Sequence, residues 1–303
     1  MTDTITMDSV QTHEVVINSL TRKKRKTSDT VLYFAIYLAA FFSVVLLIGI
    51  IGYVFAKGIS VVNWNFLTTV TSSLKGTVGI AGNIVNTLYI IVLTLLIATP
   101  VGIGSAIYLN EYAKQGTFVR LVEFTTQTLA GIPSILFGLF GMIFFGNVLG
   151  LDYSILTGSL TLTLMILPLI IGNTREALKT VPDSYRHGAI GIGATKWYMI
   201  RTILLPSAKP GIVTGIILAV GRIVGESAAL LFTAGSGHLL PNSAKAYFTK
   251  IMESGGTLTI ELYLSMSKAK YDVAFGIAVV LLVIVFFINL ITKMLIRGSV
   301  KTN

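Results

Sequence analysis

Cysteine is absent from the 303 residues, which excludes a disulfide framework, a thiol nucleophile and a thiolate metal site. Charge is scarce: 12% of residues are Asp, Glu, Lys or Arg, about half the share of a soluble domain. The three histidines, His13, His187 and His238, lie far apart and show no metal-ligand spacing. No G-x-x-x-x-G-K-[ST] run occurs, so the chain has no Walker A nucleotide loop. Gly188, Gly191 and Gly193 do not form a dinucleotide fingerprint, and no Ser–His–Asp set or convergent carboxylate pair is recognisable. The chain is therefore read as neither an enzyme nor a cofactor or metal protein. What is present is apolar: 53% of residues are hydrophobic and the mean hydropathy is +0.81. That profile fits an all-α polytopic membrane protein. The net charge of +10 is read as anchoring of cytoplasmic loops, not as a nucleic-acid surface.

Six apolar segments reach the roughly 20 residues that a membrane-spanning helix needs: 31–56, 80–109, 128–149, 153–171, 211–234 and 273–296. The first is too long for a signal-peptide core and is read as a retained transmembrane helix. The 1–30 segment before it is a basic cytoplasmic tail containing Arg22 to Lys26. Asn83, Asn86 and Pro100 predict a kink or tilt in the second segment, since proline lacks a backbone donor. With the N-terminus inside, sixteen Lys and Arg fall on inner segments and six on outer ones, Arg222 lying within a span. That asymmetry predicts a cytoplasmic loop over 175–209, an outer loop over 236–271 and a cytoplasmic tail over 297–303. Glu111, Glu123, Lys245, Lys250, Lys268 and Lys270 are read as solvated loop charges. Small residues recur at spacing four (Gly146 and Gly150, Gly211 and Gly215, Gly221 and Gly225). This spacing suits either internal packing or a subunit interface.

The 175–209 loop has its own pattern. Pro182 and Asp183 suit a helix start, with Asp accepting orphan N–H bonds. Tyr185, Ala189 and Ile192 then fall on one apolar face. Gly191 and Gly193 predict the helix end, Thr195 caps a second helix over 196–205, and Pro206 closes it.

Reduced to spacing, Ala189, Gly193, nine residues, Ile203, Leu205 and Pro206 resemble the EAA loop of importer-type ABC transporter permeases. In that family the loop is where a membrane subunit grips its cytoplasmic ATPase. The resemblance implies ATPase coupling through Tyr185, Arg186, His187, Gly188, Ala189, Gly193 and Pro206. His187-Gly188-Ala189 stands where the family has Glu-Ala-Ala. The family's acidic residue and one alanine are thus missing, and an imidazole, the side chain that changes charge near neutral pH, stands at the acidic position.

Three further segments are similar to the PstA-type phosphate permeases: Ile107-Tyr108-Leu109-Asn110-Glu111-Tyr112-Ala113; Leu129-Ala130-Gly131-Ile132-Pro133-Ser134-Ile135 with Gly138-Leu139-Phe140-Gly141; and Gly221-Arg222-Ile223-Val224-Gly225-Glu226-Ser227-Ala228-Ala229-Leu230. The resemblance covers about residues 75–235 and implies a permease domain over 75–296. Its type I importer core has five helices, preceded by the 31–56 anchor. It also implies a bacterial or archaeal plasma membrane with both termini cytoplasmic. The implied partners are a second homologous permease of PstC type, a PstB-type ATPase dimer, an extracytoplasmic phosphate-binding protein and surrounding lipid. The implied function is ATP-driven import of phosphate. Transport of another oxyanion (sulfate, molybdate or a phosphonate) and a non-transporting sensor or scaffold are the alternative readings.

Arg222 and Glu226 also follow from physics. A charge at mid-bilayer costs about 2.5–3.5 kcal/mol on insertion scales, so an intramembrane ionisable pair is a candidate functional site. At i, i+4 on one helix the two can pair, and the arginine fork matches an oxyanion. A packing salt bridge facing a sister subunit is the structural alternative. Ser227 adds a hydroxyl donor, equally suited to a helix–helix hydrogen bond. Gly131 and Pro133 either interrupt or begin the third span.

Overall fold

In the computed structural model of the chain, residues 27–72, 76–114, 116–241 and 243–300 are described. Most of the basic tail with His13 and Arg22 to Lys26, together with Lys75 and Lys301, lies outside them. The chain divides into two units, Met1–Tyr53 and Val54–Asn303. Helix α1 (Thr27–Gly58) forms the described part of the first and ends within the second. It contains the 31–56 apolar run.

The second unit begins with a short helix, α2 (Trp64–Thr68), and a two-stranded antiparallel ribbon, β1 (Val70–Ser72) and β2 (Thr77–Ile80). Apart from this ribbon, the regular elements of the described residues are helical. Helix α3 (Ala81–Ile107) continues through a π turn at Tyr108–Tyr112. Helix α4 (Thr117–Ala130) and helix α5 (Ser134–Gly141), which runs on into a π turn at Met142–Val148, meet at a bend of 101°. The 128–149 segment, read as one span, is thus interrupted at Gly131-Ile132-Pro133, because Pro133 cannot donate into a continuing helix. Helix α6 (Ile155–Lys179) leads to α7 (Asp183–Gly191) and α8 (Lys196–Met199).

A π turn at Ile200–Leu204 then passes directly into α9 (Leu205–Gly225). The expectation that Pro206 closes a helix is corrected here: Pro206 sits in the first turn of α9, where its missing N–H costs little. The expectation of one helix over 211–234 is also corrected. Glu226 adopts an extended conformation (φ −82°, ψ 122°), and α10 (Ala228–Thr233) starts afresh.

The 236–271 segment, read as a loop, carries α11 (Ala244–Thr249) and α12 (Leu258–Ser267), and α13 (Tyr271–Val300) completes the unit. Lys250 is buried, not solvated, and pairs with Glu253 at 3.2 Å. This segment folds back onto the start of α3. The buried Asn83 and Asn86 amides donate to the Gly256 carbonyl at 3.0 and 3.2 Å, and Asn86 also donates to Gly237 at 2.9 Å. The Thr87 hydroxyl accepts from Leu258 N–H at 3.0 Å. The polar residues of this span thus satisfy backbone groups that would be orphaned in a membrane.

The main core lies between α3, α6 and α9, around Ile90, Ala98, Leu162, Ile166, Ile170, Ala219 and Ile223. Helices α6 and α9 run antiparallel at close range. A Cβ at Gly211 would lie 2.6 Å from Ala177 Cβ, and one at Gly215 would lie 2.7 Å from Asn173 Cβ. Gly211 and Gly215 are therefore internal packing residues, whereas added Cβ atoms at Gly221 and Gly225 would meet nothing within 4 Å among the described residues.

Candidate functional site

The Gly211–Ala177 and Gly215–Asn173 contacts set the register of α9 on α6, and continuing it brings Arg222 level with the Met165 region. A cavity of about 360 Å³ opens there, lined by Ala130, Met165, Pro168, Leu169, Gly172, Asn173, Glu176 and Arg222, within the usual range for small-molecule sites. Its lining on α6 extends from Met165 to Glu176, about 16 Å of helix at 1.5 Å per residue. It therefore reaches from the middle of α6 to the end that carries the α7 unit. Ala130, at the break between α4 and α5, closes another side.

Arg222 is exposed in the single chain, and no hydrogen bond or ion pair joins it to another described residue. The expected Arg222–Glu226 pair is not formed, because the helix ends between them. Glu226 instead caps α10: its Oε1 accepts from Ala229 N–H at 3.0 Å, and its carbonyl accepts from the Thr259 hydroxyl at 3.0 Å. Ser227 is half-buried, and its carbonyl accepts from Leu231 N–H at 2.9 Å. The structure thus places Arg222 on the cavity wall, with Glu226 and Ser227 just past the helix end. Asn173, Glu176 and Ala130 are cavity residues that sequence reasoning misses. Asn173, a lone amide just past the apolar 153–171 run, is the available signal.

At the far end of α6 the helix, glycine turn and helix form as the spacing predicts. Gly193 has φ +81°, the left-handed conformation that favours glycine. Ala194 N–H reaches the Ala189 carbonyl at 3.0 Å and Gly193 N–H the Ile190 carbonyl at 2.9 Å, the paired bonds of a Schellman C-terminus. Thr195 Oγ1 accepts from Tyr198 N–H at 3.3 Å. Asp183 makes no cap hydrogen bond, contrary to expectation, and pairs with Arg186 at 2.9 Å instead. The expected apolar face is divided. Ala189 is buried against Leu178, Val181, Met199 and Ile200, while Tyr185 and Ile192 are exposed together with Trp197 and Tyr198. His187 and Gly188 are exposed beside them. Pro206 lies past this unit, at the start of α9.

Arg186 turns inward, its side chain only 17% exposed. It donates to Glu111 Oε1 at 3.0 Å, to the Leu178 and Val181 carbonyls at 2.9 Å each, and to Asp183. Glu111 is correspondingly 5% exposed, not solvated. Glu123 likewise pairs with Arg175 on α6. The expectation that both glutamates are solvated loop charges is thus corrected: their partners lie 75 and 52 residues away, where sequence spacing shows no pairing.

The profile of the family described as "Binding-protein-dependent transport system inner membrane component" matches residues 98–300. The phosphate transport system permease protein PstA of Mycobacterium leprae is 31% identical over 285 residues, covering 90% of this chain and 88% of the relative. The probable ABC transporter permease protein YqgI of Bacillus subtilis is 36% identical over 211 residues, covering 70% of this chain and 72% of the relative. Among solved structures, a subunit of a bacterial alginate ABC transporter in complex with its periplasmic protein superposes with a TM-score of 0.65 at 17% identity. That match covers 91% of this chain and 97% of the other and concerns the fold alone.

Proposed function

We infer a phosphate-import role from one premise: the chain belongs to the binding-protein-dependent transport system inner membrane component family, and within it to the PstA-type permeases. It is a transmembrane permease subunit of an ATP-driven importer and not itself an enzyme. In this reading it supplies half of the translocation pathway, and a second, PstC-type permease supplies the other half across the open Gly221–Gly225 face. A PstB-type ATPase dimer seats the exposed surface of α7 and α8, and an extracytoplasmic phosphate-binding protein delivers the anion. Both termini lie in the cytoplasm.

The observation that carries the reading is Arg222. A guanidinium in the last turn of α9, without a partner among the described residues, faces a cavity able to hold a small solute. A cation so placed is costly in a bilayer unless it lines a watered path or meets an anion. Its fork of donors suits phosphate oxygens. Glu226, held to α10 by its cap, stands just past the end of α9 and sets a negative charge there. ATP binding closes the ATPase dimer, the α7 unit carries that motion into the spans it joins, and the cavity opens outward to accept phosphate. Hydrolysis returns it inward.

The test is uptake of labelled phosphate by the complex reconstituted with candidate partners, with sulfate and arsenate as competitors. ATP-dependent uptake that excess sulfate leaves intact is expected. Uptake independent of ATP, or abolished by sulfate, would overturn the reading.

A further inference from the structure

The covalent chain joins the α7–α8 unit only to α6 and α9. The third contact comes from elsewhere. Glu111, at the end of α3, presents Oε1 to two nitrogens of Arg186, Nη2 at 3.0 Å and Nε at 3.4 Å, and to the Asn110 amide at 2.7 Å. One residue further on, the Tyr112 ring lies under the Lys196 ammonium of α8, 4.9 Å from its centroid. The same end of α3 thus holds both helices of the unit, α7 through an ion pair and α8 through a cation–π contact.

The geometry depends on the π turn at Tyr108–Tyr112, where Ala113 N–H returns to the Tyr108 carbonyl at 2.8 Å. One extra residue in a turn of 3.6 rotates the succeeding side chains by about 100°. That rotation brings Glu111 round to Arg186. Burial makes the pair obligatory, since a carboxylate withdrawn from water needs its cation. Arg186 in turn directs its other donors to the Leu178 and Val181 carbonyls and to Asp183, which fixes it to the end of α6. A lysine cannot reproduce that fork.

We propose that Glu111 and Arg186 are positioning residues for transport: they lock the docking helix α7 to the end of α3, so that a displacement of α7 enters α3 directly as well as α6 and α9. Helix α3 is the span whose opposite end holds the 236–258 segment through Asn83, Asn86 and Thr87. The lock therefore gives the ATPase a rigid lever to the face where phosphate enters. The lock rests on the proposed coupling of α7 to the ATPase.

The test compares native and Glu111→Gln complexes for both labelled-phosphate uptake and ATP hydrolysis. The native complex serves as the control on that coupling: ATP-dependent uptake there must be seen first, and its absence would sink the import reading and not this lock. With it in place, Glu111→Gln is expected to assemble, to hydrolyse ATP and to move roughly tenfold less phosphate per ATP. Arg186→Lys is expected to fall between the two. Because the chain has no cysteine, Glu111→Cys with Arg186→Cys offers two unique thiols. Joining them with a short bismaleimide is expected to restore the ratio relative to the unlinked double variant. An unchanged phosphate-to-ATP ratio in Glu111→Gln would overturn the proposal. So would a Glu111→Gln chain that fails to assemble beside a Glu111→Asp chain that assembles and couples as the native does, since Glu111 would then serve folding alone.

Discussion

Arg186 and Arg222 sit at opposite ends of the run formed by α7, α8 and α9, and their surroundings are opposite. Arg186 is enclosed and meets Glu111, Asp183 and two backbone carbonyls. Arg222 faces a cavity and has no hydrogen bond or ion pair to another described residue. The same side chain is used once as a structural hub and once as an open donor. Glycine shows the same division along α9: Gly211 and Gly215 fit against α6, and Gly221 and Gly225 face open space. In this helix the half nearer the α7–α8 unit is committed to its own chain, and the half bearing Arg222 is left open among the described residues.

That contrast can be broken by measurement. Arg186→Ala leaves the buried Glu111 carboxylate without its cation and is expected to lower stability by about 3–5 kcal/mol, read from thermal unfolding of the solubilised complex. Gly215→Leu forces a side chain into Asn173 and is expected to cost about 1–3 kcal/mol in the same assay. Gly221→Leu should leave the unfolding of the isolated chain unchanged while reducing co-purification of the second permease. Glu226→Ala removes the acceptor for Ala229 N–H and is expected to cost about 1 kcal/mol, as a lost helix cap does. Arg222→Ala strands no partner among the described residues and should stay within about 0.5 kcal/mol of the native chain. A loss as large at Arg222 as at Arg186 would erase the distinction.

Local signals are legible in the sequence, and long-range ones are not. Pro182, Gly193 and Thr195 mark the ends of α7 and the start of α8 because helix caps are written within a few neighbouring residues. Long apolar runs locate the spans for the same reason. Three features escape. The break after Gly225 has no proline to announce it; it arises from Glu226 capping the next helix and Thr259 holding its carbonyl. Pro206 reads as a stop, but the π turn before it lets the chain continue. Glu111 and Lys250 read as solvated because charge in a loop usually is. Only the fold brings Arg186 to one, and the Lys250–Glu253 pair forms where the 236–271 segment packs inward. Of the candidate site, Arg222 is legible from the cost of its position, whereas Asn173, Glu176 and Ala130 join it only once α6 and the α4–α5 break are in place.

The central claim is that Arg222 meets the transported anion. The direct measurement is ATP-dependent uptake of labelled phosphate by an assembled complex carrying Arg222→Gln. The account predicts uptake at least tenfold below the native complex, with assembly and thermal stability unchanged. Undiminished phosphate uptake by a normally assembled Arg222→Gln complex would contradict it.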